Sequence, residues 1–255
     1  MRPLAALLAL ILTAIGGPAR AADRIVSLNL CTDQMLVLLA PERIAALSTL
    51  ARDPTLSFVA EQAERFPTVR ASAEAVLRLR PDLVLGTRFG ARTTLSLLEK
   101  QGVEVVRTDL PQDFPAIRDW IRLLAERLRQ VERGEALIAA MDAELAGSVG
   151  QATPPPNAVA MQPRGYTSGP GSLMDAVLRA AGLANASDGR RMSAEMLLRH
   201  PPDILVLPVA PTHPSLATAM LRTPAFAAIP TRYYRPAWTI CAGPFTSRTV
   251  EALGR

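Results

Sequence analysis

One stretch occurs twice in this chain, first as Ser72-Ala73-Glu74, Leu77-Arg78 and Pro81-Asp82-Leu83-Val84-Leu85, and again as Ser193-Ala194-Glu195, Leu198-Arg199 and Pro202-Asp203-Ile204-Leu205-Val206. Each copy predicts a short helix with Ser as its N-cap and Glu in its first turn, where a carboxylate suits the helix dipole. Pro-Asp ends the helix, and the apolar run that follows is typical of a strand buried on both faces of a parallel sheet. Two copies far apart in the chain predict two similar α/β lobes. The alternative is a chance repeat of a common helix–strand unit, which the matched Ser-Ala-Glu and Leu-Arg positions disfavour.

The composition describes a globular protein without a nucleic-acid signature. The chain has 255 residues, of which 49% are hydrophobic and 20% charged, enough for one large domain or two small ones. Its formal charge is +5, but the arginines are scattered, with no basic run and no interleaved aromatic residues. We therefore expect no nucleic-acid partner.

The first 21 residues resemble a secretory signal peptide. Arg2 supplies a positive start, residues 4–15 an apolar segment too short to span a bilayer comfortably, and Ala19-Arg20-Ala21 a cleavage site. Removal of this leader lowers the formal charge from +5 to +3, because it contains Arg2 and Arg20. We expect a soluble protein exported to the periplasm; an uncleaved N-terminal anchor is the alternative.

Strands and helices alternate from Arg24 to Thr108, which predicts a parallel sheet and places Thr32 or Asp33 as the cap of the first helix. From Phe114 to about residue 150 the pattern is helical, and Gly134 is predicted to separate two helices. The second of them is predicted to connect the lobes; a pair of surface helices of the first lobe is the alternative. The predicted organisation is a leader over 1–21, an N-terminal lobe over 22–130, a connecting helix over 131–152 and a C-terminal lobe over 153–255.

Six segments, in their order and spacing, resemble those of one protein family. They are Arg24-Ile25-Val26-Ser27-Leu28-Asn29, residues 77–85, Gly169-Pro170-Gly171, Ala181-Gly182-Leu183-Ala184-Asn185, residues 195–207, and Trp238 with Gly243-Pro244. The family comprises the periplasmic substrate-binding proteins of ABC importers for iron–siderophores, haem and cobalamin, the helical-backbone metal-receptor superfamily. The resemblance implies an α/β fold of two Rossmann-like lobes with mainly parallel sheets, joined by one long backbone helix, with the ligand cleft between them.

Ligand-binding residues are expected on loops at the carboxyl ends of the strands, where open α/β sheets present their sites. On this basis the predicted ligand loops are residues 29–33, 50–52, 87–89, 165–168 and 238–241. The ligand-binding residues predicted on them are Asn29, Leu30, Cys31, Thr32, Arg52, Thr87, Arg88, Phe89, Tyr166, Thr167, Trp238 and Cys241.

Arginines and aromatic residues on these loops suggest what they recognise. Arg52, Arg88 and Arg164 are candidates to bind carboxylates or phosphates of a chelate, with a solvated surface arginine as the alternative for each. Tyr166 and Trp238 offer flat faces to a macrocycle or a catecholate, with core packing as the alternative. The resemblance places Thr87 where an aromatic residue would help to bind cobalamin, which disfavours that ligand.

Cys31 and Cys241 fall on two of the predicted cleft loops, one in each lobe. A disulfide, two thiols lining the cleft, ligands of a soft metal and two buried apolar thiols are the alternatives. We favour thiols lining the cleft over a disulfide, because a protein that opens about a hinge should avoid a covalent clamp.

In the family, a glutamate at the tip of each lobe pairs with arginines of the membrane permease, and Glu74 and Glu195 occupy the matching positions. A role confined to the helix dipole is the alternative. The resemblance implies a monomer that captures a siderophore, haem or corrinoid chelate and delivers it to an inner-membrane ABC permease with its ATPase.

Two other functions compete with this one. A bare metal-ion receptor would need several His and carboxylate ligands, whereas His200 and His213 have no ligand partner at useful spacing. A thiol-redox protein using Cys31 and Cys241 lacks a C-x-x-C motif. No nucleophile elbow, P-loop or dinucleotide fingerprint is present, so we expect neither an enzyme nor a resident cofactor.

Overall fold

A computed structural model describes residues 23–147, 153–209, 219 and 224–254. The predicted leader over residues 1–21 and His213 lie outside these residues. Within the described residues, no helix is both long enough and apolar enough to cross a membrane.

The N-terminal lobe is built on a parallel sheet with the strand order β3-β2-β1-β4-β5. Its strands are β1 (Ile25–Ser27), β2 (Ile44–Ser48), β3 (Thr68–Val69), β4 (Leu83–Thr87) and β5 (Glu104–Thr108). Its helices are α1 (Leu30–Leu39), α2 (Ala60–Ala63), α3 (Ala73–Arg78), α4 (Arg92–Lys100) and α5 (Phe114–Arg127). The central strands β1 and β4 are buried along their whole length, as their uninterrupted apolar runs predict.

The C-terminal lobe has a second parallel sheet with the order β7-β6-β8-β9. Its strands are β6 (Asn157–Ala160), β7 (Ala184–Asn185), β8 (Ile204–Pro208) and β9 (Thr231–Tyr234). The helices of this half are α6 (Val131–Ala146), which leads into it, α7 (Leu173–Ala180), α8 (Ala194–Arg199) and α9 (Ser247–Gly254). Two parallel sheets in a mixed α/β chain confirm the predicted fold class.

The two copies of the repeat fold in the same way. Ser72 caps α3 by accepting from the Ala75 amide, and Ser193 caps α8 by accepting from the Met196 amide. The aspartates of the two Pro-Asp pairs make equivalent hydrogen bonds, which sequence reasoning did not identify. Asp82 Oδ2 accepts from the Arg24 amide at the start of β1, and Asp203 Oδ2 accepts from the Asn157 amide at the start of β6. Each carboxylate thereby links the residue before its own strand to the start of the neighbouring parallel strand.

Helices α5 and α6 are separated by a short turn over residues 128–130, so the predicted break at Gly134 is wrong. Gly134 is a buried residue inside α6. A Cβ added there would lie 2.5 Å from Ala125 Cβ, so glycine is required by the close approach of the two helices and not by a break in the backbone.

One continuous core cluster contains buried residues of both lobes. Phe58, from the N-terminal lobe, stacks on Phe245, from the C-terminal lobe, with ring centroids 4.6 Å apart. Ser247 at the start of α9 donates to Glu144 of α6 at 2.6 Å. The lobes are therefore packed against each other beside the cleft.

The first helix is capped by Asn29, and the prediction of Thr32 or Asp33 as its cap is wrong. Asn29 Oδ1 accepts from the Cys31 amide at 2.9 Å. Asp33 is fully buried and instead accepts from the amide and the hydroxyl of Ser48, at 3.1 and 2.5 Å, which joins α1 to the end of β2. Burial raises the pKa of the Asp33 carboxyl from 3.8 to about 6, against the opposing effect of hydrogen bonds from Ser27 and Ser48.

Replacing Asp33 by asparagine should remove a pH dependence of stability. The raised folded-state pKa means that the folded protein holds a proton that the unfolded chain has released, so stability falls as pH rises between about 4 and 6. A shift of about two pKa units corresponds to about 3 kcal/mol. The asparagine side chain keeps an oxygen that can accept from the Ser48 amide. We expect the free energy of unfolding, measured by denaturant titration, to fall in the wild type but not in Asp33→Asn as the pH rises from about 4 to about 7.5. The difference between the two proteins should therefore change by about 2–3 kcal/mol in favour of the variant.

The matched control is Asp119→Asn, which changes an exposed carboxylate of α5. Parallel stability curves for the wild type and Asp33→Asn across this pH range would contradict the assignment.

Candidate functional site

A cavity of about 590 Å³, here called the main cavity, lies between the lobes. Its described lining comes from loops that follow the carboxyl ends of β2, β5, β6, β8 and β9, and from the start of α7. These residues are Thr55, Leu56, Gln112, Gln162, Pro163, Ser168, Ser172, Leu173, Met174, Pro208, Val209, Tyr234, Pro236, Thr239 and Ile240. The lining is mainly apolar, with amide and hydroxyl groups distributed around it, a composition typical of small-molecule sites.

A second cavity of about 520 Å³, here called the arginine cavity, adjoins the first and shares Thr55, Val209 and Pro236 with it. Its other described lining residues are Pro54, Ser57, Phe58, Ala60, Glu61, Arg235, Ala237, Trp238 and Arg248. The guanidinium carbon of Arg248 lies 4.8 Å from the Phe58 ring centroid, and that of Arg235 lies 5.6 Å from the Trp238 ring. This cavity therefore combines cationic and aromatic groups, whereas the described lining of the main cavity contains no cationic side chain.

Tyr234, the last residue of β9, presents a buried phenol at the wall of the main cavity. Burial raises the pKa of Tyr234 to about 12, so the side chain is a neutral hydroxyl at physiological pH. A neutral phenol can donate or accept one hydrogen bond to a ligand without adding charge.

Most of the predicted N-terminal ligand residues have partners within the protein. Leu30 is buried, and the buried Thr32 hydroxyl bonds to Ser27 Oγ and to the Asn29 carbonyl. Arg52 donates to the Phe66 carbonyl at 2.5 Å. Arg88 pairs with Asp109 at 2.8 Å. These side chains are held by the fold, and none of them lines either cavity.

Two predicted residues, Asn29 and Thr87, meet at the carboxyl edges of β1 and β4. A Cβ added to Gly90 would lie 3.1 Å from Thr87 Oγ1 and 3.4 Å from Asn29 Nδ2, so Asn29 and Thr87 are close neighbours. Phe89 lies on the loop that follows Thr87 and is 80% exposed. These residues lie at the carboxyl ends of the strands, where ligand residues are predicted, but their side chains line neither cavity.

In the C-terminal lobe, Trp238 lines the arginine cavity. Ser168, Thr239 and Ile240, which lie on the predicted loops 165–168 and 238–241, line the main cavity. Tyr166 is half-exposed, beneath Arg191. The Thr167 hydroxyl is buried and donates to the Arg190 carbonyl at 2.6 Å. Arg164 is exposed in the turn before them. The ligand-binding roles of these residues stay predictions.

Cys31 and Cys241 form a disulfide, with Cα atoms 5.2 Å apart, so the expectation of two free thiols lining the cleft is wrong. Both residues are buried in the shared core. The expectation assumed that hinge motion excludes a covalent link between lobes. A single link fixes the separation of the lobes at one point while leaving rotation about that point open.

Sequence reasoning missed most of the cavity lining. Gln112 follows β5, and Pro208 and Val209 end and follow β8, so all three lie at the carboxyl edges to which the strand rule points. Arg248 lies on α9 and not after a strand, so the strand rule could not identify it.

Glu74 and Glu195 are both exposed in the first turns of α3 and α8. Each pairs with the arginine four residues later, Glu74 with Arg78 at 2.8 Å and Glu195 with Arg199 at 2.7 Å. Over the described residues, no group of three or more His, Cys, Asp or Glu side chains is arranged to hold a metal ion.

Comparison with known proteins identifies the family. The family model described as periplasmic binding protein matches residues 25–232. No curated protein matches the chain. The family match confirms the resemblance inferred from the six sequence segments.

Several solved structures share the fold. A periplasmic haem-binding protein from Roseiflexus sp. RS-1, in its apo form, is 23% identical, with 91% of this chain and 98% of that chain covered and a TM-score of 0.70. A possible iron-binding periplasmic solute-binding protein from Staphylococcus epidermidis is 18% identical, with 92% and 98% covered and a TM-score of 0.74. A periplasmic vitamin B12-binding protein from Vibrio cholerae is 16% identical, with 92% and 96% covered and a TM-score of 0.65.

These matches extend across both lobes and both sheets, and the family match covers most of the chain. Family membership implies a periplasmic location and a binding role. The chain belongs to the periplasmic binding protein family, whose members of this fold serve as the substrate-binding components of ABC importers.

Proposed function

We propose that this protein captures a metal chelate of the siderophore, haem or corrinoid type in the cleft between its lobes. The observation that carries the proposal is the main cavity, which is lined from both lobes at the carboxyl edges of two parallel sheets. Its volume of about 590 Å³ lies within the range of about 300–1,000 Å³ usual for small-molecule sites. The adjoining arginine cavity extends the space available to a larger chelate.

Trp238 and the loops around it are the proposed contact region of the C-terminal lobe. Trp238 lines the arginine cavity, while Thr239 and Ile240 directly after it line the main cavity. On the opposite side, Thr55 of the N-terminal lobe borders both cavities. A ligand held between these two loops would touch both lobes at once, as capture between lobes requires.

Filling the space beside Thr55 should prevent capture. Thr55 is exposed, and both its amide and its hydroxyl donate to Asp53 Oδ1. Tryptophan keeps the amide bond and loses the hydroxyl bond, which lies at the surface. We expect Thr55→Trp to weaken chelate binding at least tenfold in calorimetry, because the indole occupies the junction of the two cavities, with little change in melting temperature.

The matched control is Thr93→Trp, at an exposed position of α4 outside both cavities. It should bind the chelate as the wild type does. Equal affinity of Thr55→Trp and Thr93→Trp would place the chelate elsewhere.

Delivery to the membrane is proposed to use the two lobe tips. Glu74 and Glu195 carry exposed carboxylates in equivalent positions, one on each lobe, so that together they define an orientation for docking on an ABC permease. We further propose that the protein acts as a monomer and that cleavage after residue 21 releases it into the periplasm. The matched geometry of α3 and α8, including their Ser caps, supports a paired role for the two glutamates.

A further inference from the structure

We propose that the arginine cavity is the anion-binding compartment of the cleft, and that the ligand is a chelate whose periphery carries carboxylate groups. This inference rests on the proposed function and specifies its substrate class. Arg235 and Arg248 bind the carboxylates there, while the body of the chelate occupies the main cavity.

The two arginines are held in a similar way. Each guanidinium lies against an aromatic ring that also lines the cavity, Arg235 against Trp238 and Arg248 against Phe58. Phe58 is fixed in turn by its stack on Phe245 and by a hydrogen bond that its backbone amide donates to Gln34 Oε1. A guanidinium packed on a ring keeps N–H donors at its edge, and these donors match the two oxygens of a carboxylate.

The charge on these arginines is not matched by carboxylate side chains of the protein. Within the described residues, neither Arg235 nor Arg248 forms an ion pair, whereas Arg88 pairs with Asp109 and Arg52 lies near Glu64. The remaining segments, 1–22, 148–152, 210–218, 220–223 and 255, contain no Asp or Glu in their sequence. Glu61 is the single carboxylate in the described lining of this cavity, so two cations face one anion.

The main cavity has a different character. Its described lining contains no charged side chain; its polar groups are amides and hydroxyls, such as those of Gln112, Gln162 and Thr239, among apolar residues. Because the cavities share Thr55, Val209 and Pro236, one ligand can reach both. A chelate with a largely uncharged body and carboxylates on one side fits this division.

The test is calorimetry of the protein without its leader, at low and at moderate salt. The carboxylate probes are haemin and ferric citrate; the probes without free carboxylates are cyanocobalamin and ferrichrome. The variant is Arg235→Gln with Arg248→Gln. Arg65→Gln is the matched control, because Arg65 also lies 4.8 Å from an aromatic ring, that of Phe66, but lines neither cavity.

We expect the wild type to bind a carboxylate probe, and the double variant to bind it at least tenfold more weakly. Arg65→Gln should bind it unchanged, and added salt should weaken binding by the wild type more than binding by the double variant. Glu61→Gln should tighten binding severalfold, because it removes the one negative charge in the cavity lining.

Three results would overturn the inference while leaving the proposed function in place. They are a wild type that binds only cyanocobalamin or ferrichrome, a double variant that binds the carboxylate probe as tightly as the wild type, and equal weakening by Arg65→Gln. A wild type that binds no chelate would instead refute the proposed function. In that case a titration with benzene-1,3,5-tricarboxylate, monitored by the fluorescence of Trp238, decides the inference. Saturable binding that is lost in the double variant supports the inference, and absence of binding to the wild type overturns it.

Discussion

Removing the Cys31–Cys241 disulfide is expected to lower the free energy of unfolding by up to about 5 kcal/mol. The bond closes a loop with a sequence separation of 210 residues, so it restricts the unfolded chain strongly. Both cysteines are buried, and alanine is the suitable replacement because it leaves no polar group behind. Guanidinium unfolding of Cys31→Ala with Cys241→Ala, compared with the oxidised wild type, measures the effect.

The single variants provide the control. Each one breaks the same bond, so Cys31→Ala, Cys241→Ala and the double variant should lose similar stability rather than additive amounts. Wild type treated with a dithiol under denaturing conditions, and kept reduced on refolding, should resemble them. Equal stability of the wild type and all three variants would contradict a structural role for the bond.

Loss of both lobe-tip glutamates is expected to reduce chelate import at least tenfold without changing chelate affinity. Glu74→Ala with Glu195→Ala removes both exposed carboxylates proposed to contact arginines of the permease. Neither residue lines a cavity, so binding in solution should remain. Uptake of radiolabelled chelate by cells, together with calorimetry of the purified variant, separates the two effects.

A control of equal charge change is available on α5 and α6. Glu126 and Glu132 are exposed there, and Glu126→Ala with Glu132→Ala should leave uptake intact. Undiminished uptake by the lobe-tip variant would contradict docking through these residues, and lost affinity in that variant would point to a folding defect.

Local patterns predicted the fold because the repeat encodes its structure over short distances. Ser72 and Ser193 cap their helices as the sequence indicates, and the apolar runs after them form the central strands β4 and β8. The cap of α1 was predicted wrongly because Asn29, Thr32 and Asp33 are all good capping residues within five positions. Tertiary burial decided the choice, since the Asp33 carboxyl accepts a hydrogen bond from Ser48 at the end of β2.

Features that depend on the arrangement of the lobes were harder to predict. The pairing of Cys31 with Cys241 needs the distance between two loops 210 residues apart, which no local pattern contains. The strand-edge rule points to the sheet edges at which the two cavities lie, but most of the side chains that it names lie outside the described cavity linings, because the cavities are shaped by how one lobe faces the other. Trp238 lies in the loop after β9, where the rule applies, whereas Arg248 lies on a helix, where it does not; both line the arginine cavity.

The most direct test of the proposed function is a titration of the protein without its leader, followed by tryptophan fluorescence and calorimetry. The chain has two tryptophans, Trp120, which is buried in the core, and Trp238, which lines the arginine cavity, so a ligand in the cleft should act mainly on Trp238. The panel comprises haemin, cyanocobalamin and a set of ferric siderophores, with inner-filter controls because all of them absorb. Capture of a metal chelate predicts saturable quenching and a matching heat of binding for one chelate class, with an affinity at least tenfold weaker for Thr55→Trp in calorimetry. A folded protein that responds to no member of the panel would contradict it.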